Sequence, residues 1–260
     1  MRRPKLITIR FSHYCEKARW ALQRAGLDFK ESYHAPGFHL IPAMLAGGRR
    51  LTPILVKDDG VLNDSTDILR YADEHGAQLL PTDPVERDVV LGLEDTFDER
   101  LGPAVRRCVY FHLFQTPDDY VRDMLSLGGT PLEARLMRVV HRRLRAVMVR
   151  GLNIRADAAE RSRVVIEEVR ALVEARLQDG RPYLTGSTFT AADLTFCALF
   201  SPLVLAPEYG APQPSAEGAP PPLAELIGRY RETVAGQFVL RVYREQRHVV
   251  LPASAPSSDA

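Results

Sequence analysis

The 260-residue chain is short of several things at once: net charge, cysteine, tryptophan and long apolar runs. Its 34 basic and 33 acidic residues leave a formal charge of +1, so no global field draws it to nucleic acid or to an anionic membrane surface. Three cysteines, an odd number without framework spacing, exclude a disulfide-stapled secreted scaffold and fit a reducing compartment. The opening Met1-Arg2-Arg3-Pro4 runs into Leu6-Ile7-Thr8-Ile9, too short an apolar stretch for a signal peptide, and no later stretch reaches bilayer length. A cytoplasmic protein with no membrane and no nucleic-acid partner is expected. Also missing are a metal-ligand cluster, an internal repeat and a glycine-rich phosphate cradle, so no metal is expected.

What the chain does have is an ordinary soluble composition, 45% hydrophobic and 26% charged, which fits one large domain or two small ones. Leu6 to Phe11 is β-branched and aromatic and reads as a first strand. Cys15 to Ala25 is rich in helix formers and closes on Gly26, a natural residue just past a helix end. Leu27 to Tyr33 gives a second, parallel strand. Ile54-Leu55-Val56 and Val61-Leu62 flank an Asp59-Gly60 hairpin signal, and Asn63-Asp64-Ser65 offers N-caps for a helix to about Glu74. The order is β-α-β, loop, β-β-α.

Leu80-Pro81-Thr82-Asp83-Pro84 breaks the pattern, because two prolines in a polar stretch stop a helix. Beyond it the periodicity is helical, near 85–114, 131–150, 157–178, 191–205 and 222–235. Thr130-Pro131-Leu132-Glu133 carries an N-cap hydroxyl, a first-turn proline and a glutamate at the third position, a capping box; Thr190 and Asp193 repeat the logic. Residues 206–222 hold six prolines and are expected as a surface loop, and Pro252 to Ala260 as a frayed tail. The boundaries drawn are 1–80 for the first domain, 81–87 for a linker, 88–251 for an all-helical domain and 252–260 for the tail.

Three segments can carry chemistry. Ser12-His13-Tyr14-Cys15 lies where the first strand meets the first helix, so a group there faces backbone N–H donors and the positive end of the macrodipole, which favour a thiolate. Ser12 stands where a redox Cys-x-x-Cys has its leading nucleophile. A serine cannot exchange disulfides, but it can donate a hydrogen bond to a ligand's sulfur and lower that thiol's pKa. Ser12 as a plain N-cap is an equal reading. Cys15, Cys108 and Cys197 fit better as small core residues, and Trp20 as a packing residue. Thr52-Pro53 precedes a strand, where Thr52 can offer an unpaired backbone N–H and C=O to an extended ligand, and a cis peptide is allowed. Asp64-Ser65 opens another helix and can take a ligand carboxylate on Ser65 and an ammonium on Asp64, or serve simply as its cap. The arginines from Arg135 to Arg150 are expected to form a solvated or intersubunit face rather than an anion site.

Taken together, in this order and spacing, the segments resemble the glutathione S-transferase family over nearly the whole chain. Phe11 to Arg19 resembles the family's first strand-to-helix turn in its serine and cysteine classes. Thr52-Pro53 resembles the residue and cis-proline that hold the cysteinyl backbone of glutathione, and Asp64-Ser65 the Glu/Gln-Ser pair at the γ-glutamyl end. Gly37-Phe38-His39-Leu40 is similar to a segment whose histidine meets the glycyl carboxylate, a role Arg49 or Arg50 can share. The chain departs from the common pattern in its shorter Asp64, in His13 where proline is frequent and in Thr52 where an aliphatic residue is usual. The resemblance implies an α/β thioredoxin-like N-terminal domain with a mixed four-stranded sheet and an all-α helical-bundle C-terminal domain. It also implies glutathione as co-substrate, bound by Ser12, His39, Arg50, Thr52, Pro53, Asp64 and Ser65. Ser12 would activate the thiol against a small-molecule electrophile, in a homodimeric detoxification enzyme. The acceptor walls are expected near Arg106 to His112 and after Ala206. A glutathione-dependent reductase or lyase using Cys15, and a non-catalytic binder, are the alternatives.

Overall fold

The computed structural model describes residues 3–214, 216 and 218–251. The tail expected at 252–260 lies outside them. Four strands, β1 (Lys5–Ile9), β2 (Lys30–His34), β3 (Ile54–Lys57) and β4 (Gly60–Leu62), form one sheet in the order β2-β1-β3-β4. β1 runs parallel to β2, with Ile7 beside Ser32, and antiparallel to β3, with Ile7 beside Ile54; β3 and β4 make the expected hairpin. Successive side chains of a strand point to opposite faces. Leu6 and Leu55 accordingly enter the main core, under α1 (His13–Arg24) and α3 (Ser65–Ala72), while Ile7 and Ile54 meet Ala43 of α2 (Leu40–Leu45) on the other face. This is the thioredoxin-like β-α-β, β-β-α arrangement with a mixed sheet.

α1 ends as its sequence dictates. Gly26 sits at φ +64°, its N–H reaches the Gln23 carbonyl at 3.0 Å and the Leu27 N–H reaches Leu22 at 3.1 Å, a Schellman closure that suits glycine. The second strand begins at Lys30 rather than Leu27, because Leu27 is spent on this closure. α2 was not expected, being short and carrying Pro42.

The remainder is helical: α4 (Pro84–Thr96), α5 (Gly102–Leu113), α6 (Asp118–Ser126), α7 (Pro131–Gly151), α8 (Ala156–Leu177), α9 (Ala191–Phe200), α10 (Pro221–Arg231) and α11 (Val234–Gln246). α4 opens within the stretch expected as a linker, with Asp83 capping it through the Val85 and Glu86 N–H groups. The expected helix 85–114 is interrupted by a π-helical turn at Phe97–Leu101. The helix expected at 222–235 is two helices, parted where Thr233 caps α11, and the one expected at 191–205 ends in a 3-10 turn at Ser201–Leu203. α6 is an addition. Both capping boxes form, and Glu133 does more than cap: it takes the Thr130 and Ala35 N–H groups, each at 3.0 Å, and lies 2.7 Å from His34 Nδ1, tying α7 to the end of β2.

The proline-rich stretch is not wholly a surface loop. Ala206 is buried, Tyr209 donates to the Phe11 carbonyl at 3.1 Å and the Gly210 N–H donates to Glu16 Oε1 at 3.0 Å. Glu16 itself is fully buried on α1 and paired with Arg19 at 2.5 Å and with Arg247, beyond α11, at 2.6 Å. Its neighbour Lys17, equally buried, holds Glu94 of α4, Asp98 of the π turn at 2.6 Å and Thr66 of α3 at 2.8 Å. α1 is thus tied by buried charges to both halves of the chain.

Removing one partner of a buried ion pair leaves the other charge uncompensated. Lys17→Met, which strands Glu94 and half-buried Asp98, is expected to lower stability by about 3–5 kcal/mol, read as a lower urea midpoint at unchanged slope. A loss under about 1 kcal/mol would mean the network bears no more than a surface pair.

Candidate functional site

The turn between β1 and α1 delivers Ser12 to the seam between sheet and helices. Its N–H donates to the Ile9 carbonyl at 2.9 Å, and its backbone is extended at φ −69°, ψ 128°, as an N-cap requires. Its side chain nevertheless makes no capping bond. Plain capping therefore does not account for the hydroxyl, whose side-chain partner in the fold is the Cys15 thiol.

Ser12 lines a cavity of about 460 Å³ whose wall also includes His39, Arg50 and Thr52. Four of the seven expected site residues thus converge. Pro53, joined to Thr52 by a cis peptide, is buried and does not line this cavity; neither do Asp64 and Ser65. Asp64 accepts the Thr66 N–H at 2.8 Å and caps α3, while Ser65 is 2% exposed. His39 is engaged at both ring nitrogens: Nδ1 accepts the Gly37 N–H at 3.2 Å and Nε2 donates to the Arg50 carbonyl at 3.2 Å. Burial lowers its pKa, which keeps this neutral, bracing tautomer. Arg50 is exposed and has no ion pair among the described residues; Arg49 is exposed and gives its N–H to Asn63.

Cys15 is completely buried and absent from the cavity wall. Burial raises its pKa, against weaker opposing contributions from Arg19 and from hydrogen bonds with Thr52 and Ser12. It stays a thiol, and thiols of that kind are poor nucleophiles.

The far wall is apolar and comes from the helices. Arg106, Val109 and Tyr110 of α5 lie where expected, and Tyr209 and Gln213 come from the region after Ala206. Leu144, Val147 and Met148 of α7 and Met124 of α6 complete it and were not foreseen. Their signal was available: the spacing from Met137 through His141 and Leu144 to Met148 is one helical face, beside arginines that are mostly solvated. A cavity of this size with an apolar lining and a few polar groups at one end suits a small molecule.

His13, next to Ser12, is 5% exposed and forms part of the wall. Burial, and then Arg106, lower its pKa to about 3. Tyr14 donates to the Asp98 carbonyl at 2.9 Å, and burial raises the pKa of its phenol.

Residues 6–78 match the family described as Glutathione S-transferase, N-terminal domain. Among solved structures, the β-etherase LigF from Sphingobium sp. strain SYK-6 superposes with a TM-score of 0.58 at 18% identity, covering 92% of this chain and 99% of that one. A glutathione S-transferase from Methylobacterium radiotolerans in complex with glutathione sulfonate gives 0.52 at 20% identity, over 100% and 99% of the two chains. One from Methylobacillus flagellatus with GSH bound gives 0.53 at 15%, over 91% and 98%. At these identities the likeness is one of fold. No curated protein matches the chain by sequence.

The His13 environment sets a pH dependence. The unfolded imidazole titrates at 6.5 and the folded one at about 3, so the unfolded chain binds the extra proton between those values. Its contribution to stability is complete above 6.5 and is lost as pH falls toward 3, amounting to about 2 kcal/mol by pH 5. The unfolding free energy of His13→Phe is expected to fall less steeply with acid over this range than that of the parent protein. Identical slopes would show that His13 does not titrate in this way.

Proposed function

We propose that this chain, a member of the glutathione S-transferase family through its residues 6–78, is a glutathione transferase in which Ser12 activates the glutathione thiol. The observation that carries the reading is a serine hydroxyl at a helix N-terminus that makes no capping bond and lines the cavity. Glutathione lies across the ends of the inner strands β1 and β3 as a substrate. Thr52, at the start of β3, pairs with the cysteinyl backbone; Pro53 fixes the strand's entry from beneath; Arg50 takes the glycyl carboxylate, with its loop braced by His39. Asp64 and Ser65, at the start of α3, take the γ-glutamyl end, where the helix N-terminus favours its carboxylate.

The chemistry is a nucleophilic displacement. Ser12 Oγ–H donates to the glutathione sulfur and, with the α1 dipole, stabilises the thiolate. Each unit by which the thiol pKa falls is about 1.36 kcal/mol of differential stabilisation. A lower pKa raises the thiolate fraction near neutral pH at some cost in intrinsic nucleophilicity. The sulfur attacks an electrophilic carbon of an apolar molecule held against α5, α7 and the loop after Ala206, and the leaving group departs with its electron pair. A halide or an ether oxygen can leave by the same step, so displacement and ether cleavage differ only in the acceptor. Cytoplasmic location, dimerisation and a role in detoxification belong to this reading. Reduction through Cys15 is disfavoured by the burial and raised pKa of that thiol.

Ser12→Ala is expected to keep the circular dichroism spectrum and glutathione affinity of the parent while lowering kcat/KM for 1-chloro-2,4-dinitrobenzene at least about tenfold, on the scale of one lost charge-assisted hydrogen bond. Unchanged turnover in that variant would remove Ser12 from the reaction. Cys15→Ala is expected to retain turnover, and mass spectrometry after treatment with oxidised glutathione to find no adduct at Cys15. An adduct there, with turnover lost in Cys15→Ala, would favour the thiol-reductase chemistry instead.

A further inference from the structure

The cavity wall next to Ser12 contains a polar pair that thiol activation does not use. His13 is 5% exposed, and its Nε2 is buried without a hydrogen-bond partner among the described residues. The backbone carbonyl acting on the ring is that of Gly102, at the start of α5, and a carbonyl can only accept the ring's N–H. A neutral imidazole has one N–H and one lone pair. With the N–H directed to Gly102, the other nitrogen is an acceptor to which no described group donates.

Arg106 stands four residues after Gly102, hence just over one turn, or about 6 Å, further along the same face of α5. It lines the cavity, forms no ion pair among the described residues and lies with its guanidinium 6.0 Å from the centre of the Tyr14 ring. Its charge acts on His13 and helps to keep that imidazole neutral. The close approach of the two helices is built in. A Cβ at Gly102 would stand 2.2 Å from the Tyr14 hydroxyl, so only glycine lets α5 lie this near the start of α1.

We infer that His13 and Arg106 form a hydroxyl-recognition subsite in the acceptor cavity, which takes an apolar aromatic molecule by its phenolic or alcoholic O–H. Arg106 offers only donors, and neutral His13 a lone pair. A hydroxyl is the simplest group that satisfies both, since its oxygen accepts from the guanidinium while its hydrogen is donated to the imidazole. A carboxylate would satisfy Arg106 but turn its lone pairs on the acceptor nitrogen, and an ether or halide would leave His13 unpaired. Leaving a buried polar group unpaired is the costlier outcome, so the pair discriminates against molecules without the hydrogen. The inference rests on the reading of this cavity as the acceptor pocket.

The test is equilibrium dialysis of the full chain, without glutathione, against 1-naphthol, 1-methoxynaphthalene and 1-naphthoate. The parent protein is expected to bind 1-naphthol about five- to tenfold more tightly than its methyl ether, and more tightly than the carboxylate. In His13→Phe the naphthol-to-ether ratio is expected to fall to near one. Equal binding of naphthol and ether by the parent, a ratio that survives in His13→Phe, or a preference for the carboxylate would each overturn the inference. Should His13→Phe fail to fold, Arg106→Met carries the test with the parent's ratio: naphthol and its ether, whose oxygens both accept from the guanidinium, are each expected to bind more weakly there, and unchanged affinity for both overturns the inference. Naphthol selectivity without glutathione binding would defeat the transferase reading alone. Glutathione binding without that selectivity would defeat this inference alone.

Discussion

The charged residues buried on α1 are the constraint on which the rest of the arrangement depends. Within one and a half turns Glu16, Lys17 and Arg19 are all withdrawn from water, and besides the Glu16–Arg19 pair each finds partners beyond α1. Lys17 reaches α3, α4 and the π turn; Glu16 reaches Gly210 and Arg247; Arg19 bonds Glu31 of β2 at 2.6 Å and the Arg10 carbonyl at 3.0 Å. A buried pair of this kind is weak evidence for net stability, because desolvation offsets much of the attraction, but breaking one is expensive. Its effect is positional. α1 cannot rotate or slide without stranding a charge, so the turn at its N-terminus is held at one point between sheet and helices.

That fixed point is where the cavity lies. Ser12, carrying a hydroxyl that capping does not consume, sits between a polar edge with Thr52, Arg50 and the His39 brace and an apolar wall from α5 and α7. Cys15, three residues on, is sealed beneath and kept protonated by burial. In the proposed reaction the scarcity of cysteine acquires a chemical sense: the reactive sulfur would be the ligand's, and the protein would supply the donor.

Local signals carried much of the fold into view. The Gly26 closure, the β3–β4 hairpin and both capping boxes are short-range chemistry, and each forms where its residues stand. Ser12, His39, Arg50 and Thr52 likewise share one cavity. What stayed hidden is non-local. Nothing in Glu16-Lys17-x-Arg19 marks these charges for burial, which follows from partners as far away as Arg247, 231 residues on. Glu16 also accepts the Gly210 N–H, and Tyr209 donates to the Phe11 carbonyl, so the stretch from Ala206 to Gly210 turns inward against its proline-rich appearance. The apolar face of α7 was masked by its arginines, and α2 and α6 are too short for their periodicity to stand out.

In the proposed reaction the chain lowers the pKa of a thiol it does not itself carry, through one hydroxyl. The measurement that tests this most directly is the ultraviolet absorbance of glutathione thiolate, titrated with pH in the bound complex of the parent protein and of Ser12→Ala. The bound thiol is expected to ionise at least about one unit below the free one, a difference that largely disappears in the variant. A bound thiol titrating like free glutathione, or a depression that Ser12→Ala leaves intact, would contradict that proposal.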